Sequence, residues 1–251
     1  MSAIAIIGGS GLAQLESFSL DHKEVIETPW GEPSAPLFFG SLAGRQIIFL
    51  PRHGADHSIP PHKINYKANI WALNQAGVTE IVAIAAVGGI HADAQPASLV
   101  IPDQVIDYSW GRASTFFEDP HTPVTHIDFS WPYSQKLREQ LIDAANNCSV
   151  PNISHGVYGC TQGPRLETAA EITRMERDGC TLVGMTGMPE ACLARELDID
   201  YACCAVVANM AAGKTDQPIS MAEIEKYLRT GIRYTAQVLS VFLAESDKQQ
   251  K

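Results

Sequence analysis

The sequence is poor in basic residues: 18 lysines and arginines stand against 28 aspartates and glutamates, which gives a formal net charge of -10. A protein surface that binds DNA, RNA or an anionic membrane needs a basic field. We therefore expect neither a nucleic acid nor a membrane as a partner. The shortage does not exclude a single small anion, because backbone N–H groups and a few local cations can hold one.

Signals for export, disulfide bonding and membrane insertion are also missing. The N-terminus has no basic region before its short apolar run. The apolar stretch around 81–90 is far shorter than the roughly 20 residues of a membrane helix. The six cysteines include no CxxC or Cys/His ligand pair, and Cys203 and Cys204 are adjacent in an apolar run. We therefore expect reduced thiols in a cytoplasmic protein.

Two phosphate-binding motifs begin in this sequence without being completed. The segment 9–14 opens like a dinucleotide-binding fingerprint but ends in Gln14, where that motif needs Gly or Ala. The segment 213–215 reads GKT, yet Ala208 stands where a P-loop has its first glycine. The histidines within 53–62 lie in a proline-bearing segment, and no HExxH motif is present. We expect no nicotinamide cofactor, no P-loop and no metal.

Short β-branched runs alternate with segments of helical period, which predicts one α/β domain with a central mixed β-sheet flanked by helices. We assign this domain to 1–245 and a flexible tail to 246–251. Strands are predicted at 3–7, in a hairpin over 37–50, and at 81–87, 100–106, 182–185 and 201–208. Helices are predicted at 64–76, 136–145, 169–177 and 189–196, and after a capping box formed by Ser220 and Glu223. The segment 110–132 lacks periodicity, which is typical of a functional or interface loop.

Four predicted strands are each followed by groups suited to an anion. Ser10 lies in a glycine turn, and the turn at 86–89 presents bare backbone. Arg52 and His53 follow a third strand, and Thr186 follows a fourth. Alone, the Ser10 turn could equally bind nothing, and Arg52 with His53 could be a surface pair. In open α/β sheets ligands collect where strands end, so the four together predict one phosphate pocket.

At this point the sequence resembles the purine nucleoside phosphorylase and methylthioadenosine phosphorylase family of trimeric enzymes. The likeness runs through essentially the whole chain in order. The matching segments are IIGGSGL at 6–12, RHG at 52–54, PPHKINYKANIWAL at 60–73, AVGGI at 86–90, THIDFSWPY at 125–133, TQGPRLET at 161–168 and GMTGMPEACLARE at 184–196.

The resemblance implies a nucleoside phosphorylase-like fold, a homotrimer and a pentosyltransferase activity. In the family reaction, inorganic phosphate displaces a purine from C1′ of a nucleoside, and no cofactor is needed beyond this co-substrate. By resemblance, phosphate would be held by Ser10, Arg52, His53, the backbone of Ala86 and Thr186. Arg52 would be its one nearby cation, and Met185 would pack under the ribose. The family often has Asn or Thr where this chain has Ala85, so we expect one polar contact to be missing there.

Compared with the family pattern, further positions indicate which purine base is used. Members that use 6-oxopurines carry asparagine after the strand at 201–208, and this chain has Asn209 there. A second aspartate found nearby in adenine-specific members is replaced by Ala211. Glu167 can accept a hydrogen bond from N1–H, which hypoxanthine has and adenine lacks. We expect Asn209 and His53 to be the catalytic residues. A simpler interpretation is that Asn209 caps a turn and Glu167 lies on a helix surface.

The position expected to face the 5′ group indicates an apolar substituent. Met221 stands near the start of the last helix, where members that prefer a 5′-hydroxyl have histidine. A thioether is adaptable lining for a methylthio group, although Met221 could equally fill the core. His126 matches a residue that, in methylthio-specific members, reaches the 5′ group from the neighbouring subunit.

A 6-oxopurine with an apolar 5′ group describes S-methyl-5′-thioinosine. We therefore expect its phosphorolysis to hypoxanthine and 5-methylthioribose 1-phosphate, after a separate deamination of methylthioadenosine. The alternatives are phosphorolysis of inosine and guanosine, phosphorolysis of S-methyl-5′-thioadenosine, and a nucleoside-binding protein without catalysis. The combination of GMTGMPEA with asparagine also resembles a bacterial subgroup of the family.

Overall fold

The computed structural model describes residues 3–9, 18–118 and 123–246. The strands are β1 (Ala3–Gly8), β2 (Phe18–Glu24), β3 (Leu37–Leu42), β4 (Arg45–Pro51), β5 (Val78–Gly89), β6 (Leu99–Val100), β7 (Gln104–Asp107), β8 (Asn152–Ile153), β9 (Val157–Cys160), β10 (Leu182–Gly184) and β11 (Asp200–Met210). The helices are α1 (Tyr66–Gln75), α2 (Gln135–Asn147), α3 (Ala169–Arg177), α4 (Gly187–Glu196) and α5 (Met221–Ser246). None of these helices is long and apolar enough to span a bilayer.

The strands form one mixed sheet, which confirms the predicted fold class. Its main path runs β2-β3-β4-β1-β5-β10-β9-β7, while β11 pairs with β5 and β6, and β6 also pairs with β8. The hairpin strands β2, β3 and β4 are antiparallel, whereas β5 is parallel to both β1 and β11. Strand β5 therefore lies at the centre of the sheet, where three other strands meet it.

The central strand is buried on both faces, which explains its unbroken apolar sequence. Alternate residues of β5 enter different layers: Ile81 and Ala83 pack in one core with residues of α1 and α4, whereas Val82 and Ile84 pack in a second core with α2 and α5. Sheets covered by helices on both sides leave strand ends as the open positions. The ends of β1, β4, β5, β10 and β11 are therefore the positions where a ligand could reach the sheet.

The register of β5 and β11 shifts between Val207 and Asn209. A bulge of this kind adds one unpaired residue and turns the strand locally. In a regular strand Ala208 and Asn209 would face opposite sides. Here both of them line the same cavity. The bulge therefore lies at the end of the sheet where Asn209 and the other candidate residues line the cavity.

Several element boundaries differ from the prediction for identifiable reasons. Helix α1 begins at Tyr66, two residues later than predicted, because the Asn65 side chain caps it by accepting from the backbone N–H of Ala68 at 3.1 Å. The predicted strand 100–106 is two short strands separated around Pro102. Strand β5 continues through Gly89, where a stop was expected.

Three strands were missed entirely. Strand β2 is an edge strand whose residues are mostly exposed, so its sequence carries no alternating apolar pattern. Strands β8 and β9 have only two and four residues. The described parts of the 110–132 segment contain no helix or strand, as predicted.

Candidate active site

A cavity of about 550 Å³ opens where β1, β4, β5, β10 and β11 end. Its lining includes nine of the residues that the sequence nominated: Arg52, His53, Ala86, Glu167, Met185, Thr186, Asn209, Ala211 and Met221. Ser10 lies outside the described residues. His126 is exposed and does not line this cavity of its own chain.

The floor of the cavity contains a buried ion pair between Arg52 and Glu190. Arg52 Nε donates to Glu190 Oε2 and Arg52 Nη2 donates to Oε1, both at 2.6 Å. Only 2% of the Arg52 side chain and 0% of the Glu190 side chain are exposed. Tyr201 donates its hydroxyl to Glu190 Oε1 at 2.8 Å, and Arg52 Nη1 donates to the carbonyl of Ile84 at 3.0 Å. The guanidinium is therefore held directly by α4 and β5, while β11 holds its partner Glu190.

The pairing changes how Arg52 can bind an anion. Burial by itself opposes a charged guanidinium, but the neighbouring Glu190 carboxylate outweighs it and raises the pKa of Arg52. Its charge is thus permanent and already compensated by Glu190. Three of its five N–H groups are used in the bonds above, which leaves two for a ligand. Among the described residues, no other lysine or arginine lines the cavity. The site could therefore hold an anion by directed N–H groups more than by net charge.

His53 is neutral at physiological pH. Its Nδ1 lies 2.8 Å from the carbonyl of Ile59, which can only accept, so Nδ1 carries the hydrogen. Burial, followed by the adjacent Arg52, lowers its pKa to about 4. The ring of His57 lies 4.6 Å away, centroid to centroid. The remaining nitrogen, Nε2, is an acceptor, suited to a protonated phosphate oxygen or a hydroxyl group.

The backbone of Ala86 is open to a ligand because β1 ends early. Pairing between β1 and β5 stops at Ile7 and Ala83, and β10 pairs with β5 only from Gly88 onward, so 84–87 have no strand neighbour on this side among the described residues. Residues two apart in a strand direct their backbone groups to the same side. The carbonyl of Ile84 on this side is taken by Arg52. Ala86 therefore presents its N–H to the cavity side, beside the guanidinium.

Glu167 and Asn209 lie on the part of the cavity formed by the ends of β9 and β11. Glu167 Oε1 accepts from the hydroxyl of Thr161 at 2.6 Å, which orients the carboxylate. Asn209 is half-buried, and its Nδ2 donates to the carbonyl of Met210 at 2.7 Å. This bond leaves one Nδ2 hydrogen and Oδ1 for a ligand. The pair therefore offers two acceptors and a donor to one flat, polar molecule.

Met185 is held at the cavity by a glycine. Gly163 has a φ of +62° and lies so close that a Cβ atom there would be 2.5 Å from Met185 Sδ. A side chain at position 163 would thus be strained and would also displace the thioether. The mouth of the cavity is apolar, with Met221 66% exposed beside Ile219, Ile224, Leu228 and Ile232.

Sequence reasoning missed the groups that support this site from behind. Glu190 contacts Arg52, and Tyr201 contacts Glu190. Neither residue belongs to a recognisable motif, and from sequence alone a glutamate in a helix is expected at the surface. Arg112 was also missed, because it lies in the 110–132 segment, which has no periodic pattern. No group of His, Cys, Asp and Glu among the described residues has the arrangement to hold a metal ion.

Comparison with known proteins gives a consistent result. The family model described as the phosphorylase superfamily matches residues 3–244. A probable S-methyl-5′-thioinosine phosphorylase of Pseudomonas syringae pv. tomato is 52% identical over 98% of this chain and 100% of its own length. The 6-oxopurine nucleoside phosphorylase of Pyrococcus furiosus is 43% identical over 91% of this chain and 87% of its own. The structure of methylthioadenosine phosphorylase from Schistosoma mansoni is similar with a TM-score of 0.93, at 30% identity, over 99% of this chain and 93% of that one.

Replacing Glu190 by Gln is expected to lower the free energy of unfolding by about 3–5 kcal/mol, because it leaves the buried Arg52 charge without its counter-ion. Denaturant unfolding measures the loss. The matched control is Glu176→Gln, which breaks an exposed pair with Lys214 and should cost less than about 1 kcal/mol. Equal losses in the two variants would show that the buried pair has no special role.

The stability of the protein should depend on His53 at mildly acidic pH. The folded pKa of about 4 lies below the ordinary 6.5, so between these values the unfolded state binds more protons. Well above pH 6.5, His53 is neutral in both states and does not affect the free energy of unfolding. As the pH falls toward 4, protonation of His53 in the unfolded state increasingly lowers that free energy. Between about pH 7 and pH 5 the wild type should lose about 2 kcal/mol more than His53→Gln does. Denaturant unfolding at both pH values measures this, with the exposed His155→Gln as control, and parallel losses would refute it.

Proposed function

The chain belongs to the phosphorylase superfamily, and from that membership we propose that it catalyses the phosphorolysis of S-methyl-5′-thioinosine to hypoxanthine and 5-methylthioribose 1-phosphate. The observation that carries this proposal is that Glu167, Asn209 and the apolar mouth around Met221 line a single cavity. Relatives at 46–53% identity bear the name probable S-methyl-5′-thioinosine phosphorylase, which supports the same substrate.

Phosphate would bind at the floor of the cavity. The two free N–H groups of Arg52, the N–H of Ala86 and the hydroxyl of Thr186 supply donors, and Ser10 would add another. His53 Nε2 would accept the hydrogen of the protonated phosphate oxygen. A phosphate oxygen then attacks C1′ from the face opposite the base, and the C1′–N9 bond breaks with its electron pair passing to the purine. Catalysis of this kind consists of positioning and charge stabilisation.

The leaving purine would be read by Asn209 and Glu167. Asn209 Nδ2 donates to O6, where negative charge develops, and Oδ1 accepts from N7 once it is protonated. Glu167 accepts from N1–H, with its carboxylate already oriented by Thr161. Adenine offers a bare acceptor at N1 and an amino group at position 6, so both contacts would be unfavourable for it.

The 5′ substituent would lie at the apolar mouth formed by Met221 and its neighbours. The mouth is exposed in the single chain, with Met221 66% exposed. We propose a cytoplasmic homotrimer in which His126 of the neighbouring subunit completes this end of the site. Val124 and Trp131, which flank His126, are 82% and 69% exposed. Large apolar residues exposed together favour an interface.

Phosphorolysis of inosine and guanosine is the second candidate. It is favoured by relatives named 6-oxopurine nucleoside phosphorylase at 43–44% identity and by the same Asn209 and Glu167 contacts. The two candidates share base recognition and differ only at the 5′ end. Phosphorolysis of S-methyl-5′-thioadenosine is disfavoured because Asn209 and Ala211 stand where, by the resemblance, adenine-specific members carry aspartates.

Replacing Asn209 by Asp tests the base assignment. The new carboxylate repels O6 and accepts from a 6-amino group, so kcat/KM for S-methyl-5′-thioinosine should fall about 10- to 100-fold. The value for S-methyl-5′-thioadenosine should rise, incompletely because Ala211 is unchanged. Steady-state kinetics with both nucleosides measures the shift. The control is Asn146→Asp on the exposed face of α2, which keeps its bond from Asn152. Loss of both activities without any gain for the adenine nucleoside would contradict the assignment.

A further inference from the structure

Arg112 is the most extensively bonded side chain near the cavity, although it does not line it. All five of its N–H groups are used. Nε donates to Gln162 Oε1 at 3.2 Å, Nη1 donates to the carbonyls of Met185 at 2.9 Å and Met188 at 2.5 Å and to the Tyr66 hydroxyl at 3.3 Å, and Nη2 donates to the carbonyls of Thr161 at 3.1 Å and Gln162 at 2.9 Å. No donor remains for a ligand, so Arg112 holds protein groups together.

The carbonyls that Arg112 binds belong to two separate segments of the site. Thr161 and Gln162 follow β9 and lead to Glu167, the residue placed against the base. Met185 and Met188 follow β10 and enclose Thr186, placed against phosphate and sugar. Apart from the guanidinium, the contact between these segments includes the Thr161 N–H donating to the Gly184 carbonyl at 2.8 Å. Arg112 therefore spans the two segments just beyond the last strand pairing.

We propose that Arg112 is a positioning residue that fixes the base-binding segment 161–167 relative to the ribose- and phosphate-binding segment 185–188. The proposal rests on the function proposed above. A planar guanidinium with a rigid fork of donors can hold four carbonyls at fixed separation, which an ammonium group on a flexible stem cannot. Because a displacement of about 1 Å can cost a reaction about 100-fold, such a clamp would act on turnover without touching substrate.

The segment that contains Arg112 is attached to the rest of the protein by other contacts as well. The same segment has independent anchors a few residues later. The backbone N–H of Phe116 donates to Glu196 Oε2 at 2.7 Å, and its ring packs edge-on against Trp30 at 4.9 Å between centroids. Glu118 pairs with the buried Lys67 at 2.5 Å. Removing the guanidinium should thus leave the segment attached and free only the carbonyls behind the site.

The test compares Arg112→Ala and Arg112→Lys with Glu118→Gln, which weakens a different anchor of the same segment. We expect Arg112→Ala to lower kcat about 100-fold, with a smaller change in the KM for phosphate. Millimolar guanidinium should restore much of this activity, whereas methylammonium should not. Arg112→Lys should stay impaired, and Glu118→Gln should keep wild-type kcat. Thermal melting and near-UV circular dichroism report on folding.

Three results would overturn the proposal: full activity in Arg112→Ala, an equal loss in Glu118→Gln, or a loss that follows unfolding and does not respond to guanidinium. The comparison is made on whichever of S-methyl-5′-thioinosine, inosine and S-methyl-5′-thioadenosine the wild type cleaves fastest. A wrong substrate assignment then leaves the Arg112 test intact. Hypoxanthine affinity by calorimetry gives a readout independent of turnover, and it should weaken in Arg112→Ala but not in Glu118→Gln.

Discussion

Arg52 and Glu190 face each other in the interior of the protein, where water reaches neither side chain to a significant degree. The pair joins the end of β4 to helix α4, and its further bonds include the backbone of β5 and Tyr201 on β11. A buried pair of this kind is not by itself a source of stability, because desolvating two charges costs about as much as their attraction returns. The pair instead fixes the orientation of the guanidinium, next to the part of β5 that β1 no longer covers.

The proposed phosphate site is compatible with an acidic protein, because it would not depend on net charge. Glu190 compensates Arg52, and His53 is neutral, so an anion bound there would meet an arrangement of N–H donors and one acceptor rather than a cationic cluster. Such an arrangement favours an anion that still carries a hydrogen, since His53 Nε2 has a lone pair to offer. The groups proposed to bind the base are likewise oriented by the protein: Glu167 by the hydroxyl of Thr161, and Asn209 by the backbone carbonyl of Met210.

The sequence was sufficient to predict the mixed α/β sheet, the helix at Ala169–Arg177, and the strand ends that meet in the cavity, because apolar periodicity and glycine turns carry those signals locally. It was insufficient for β2, whose exposed edge position removes the alternating pattern. It also missed Glu190, Tyr201 and Arg112, whose roles come from contacts between residues 11 to 138 positions apart. The Asn209 side chain was identified by resemblance, but the bulge beside it has no signature in single residues.

The central claim is that this chain is a phosphorylase for a 6-oxopurine nucleoside with an apolar 5′ group. The most direct measurement supplies the wild-type protein with S-methyl-5′-thioinosine or inosine at equal concentration, with and without inorganic phosphate. The account predicts that hypoxanthine and 5-methylthioribose 1-phosphate form only when phosphate is present, and that kcat/KM is higher for the methylthio nucleoside. Base release that continues unchanged without phosphate, or an inosine kcat/KM equal to that of S-methyl-5′-thioinosine, would contradict it.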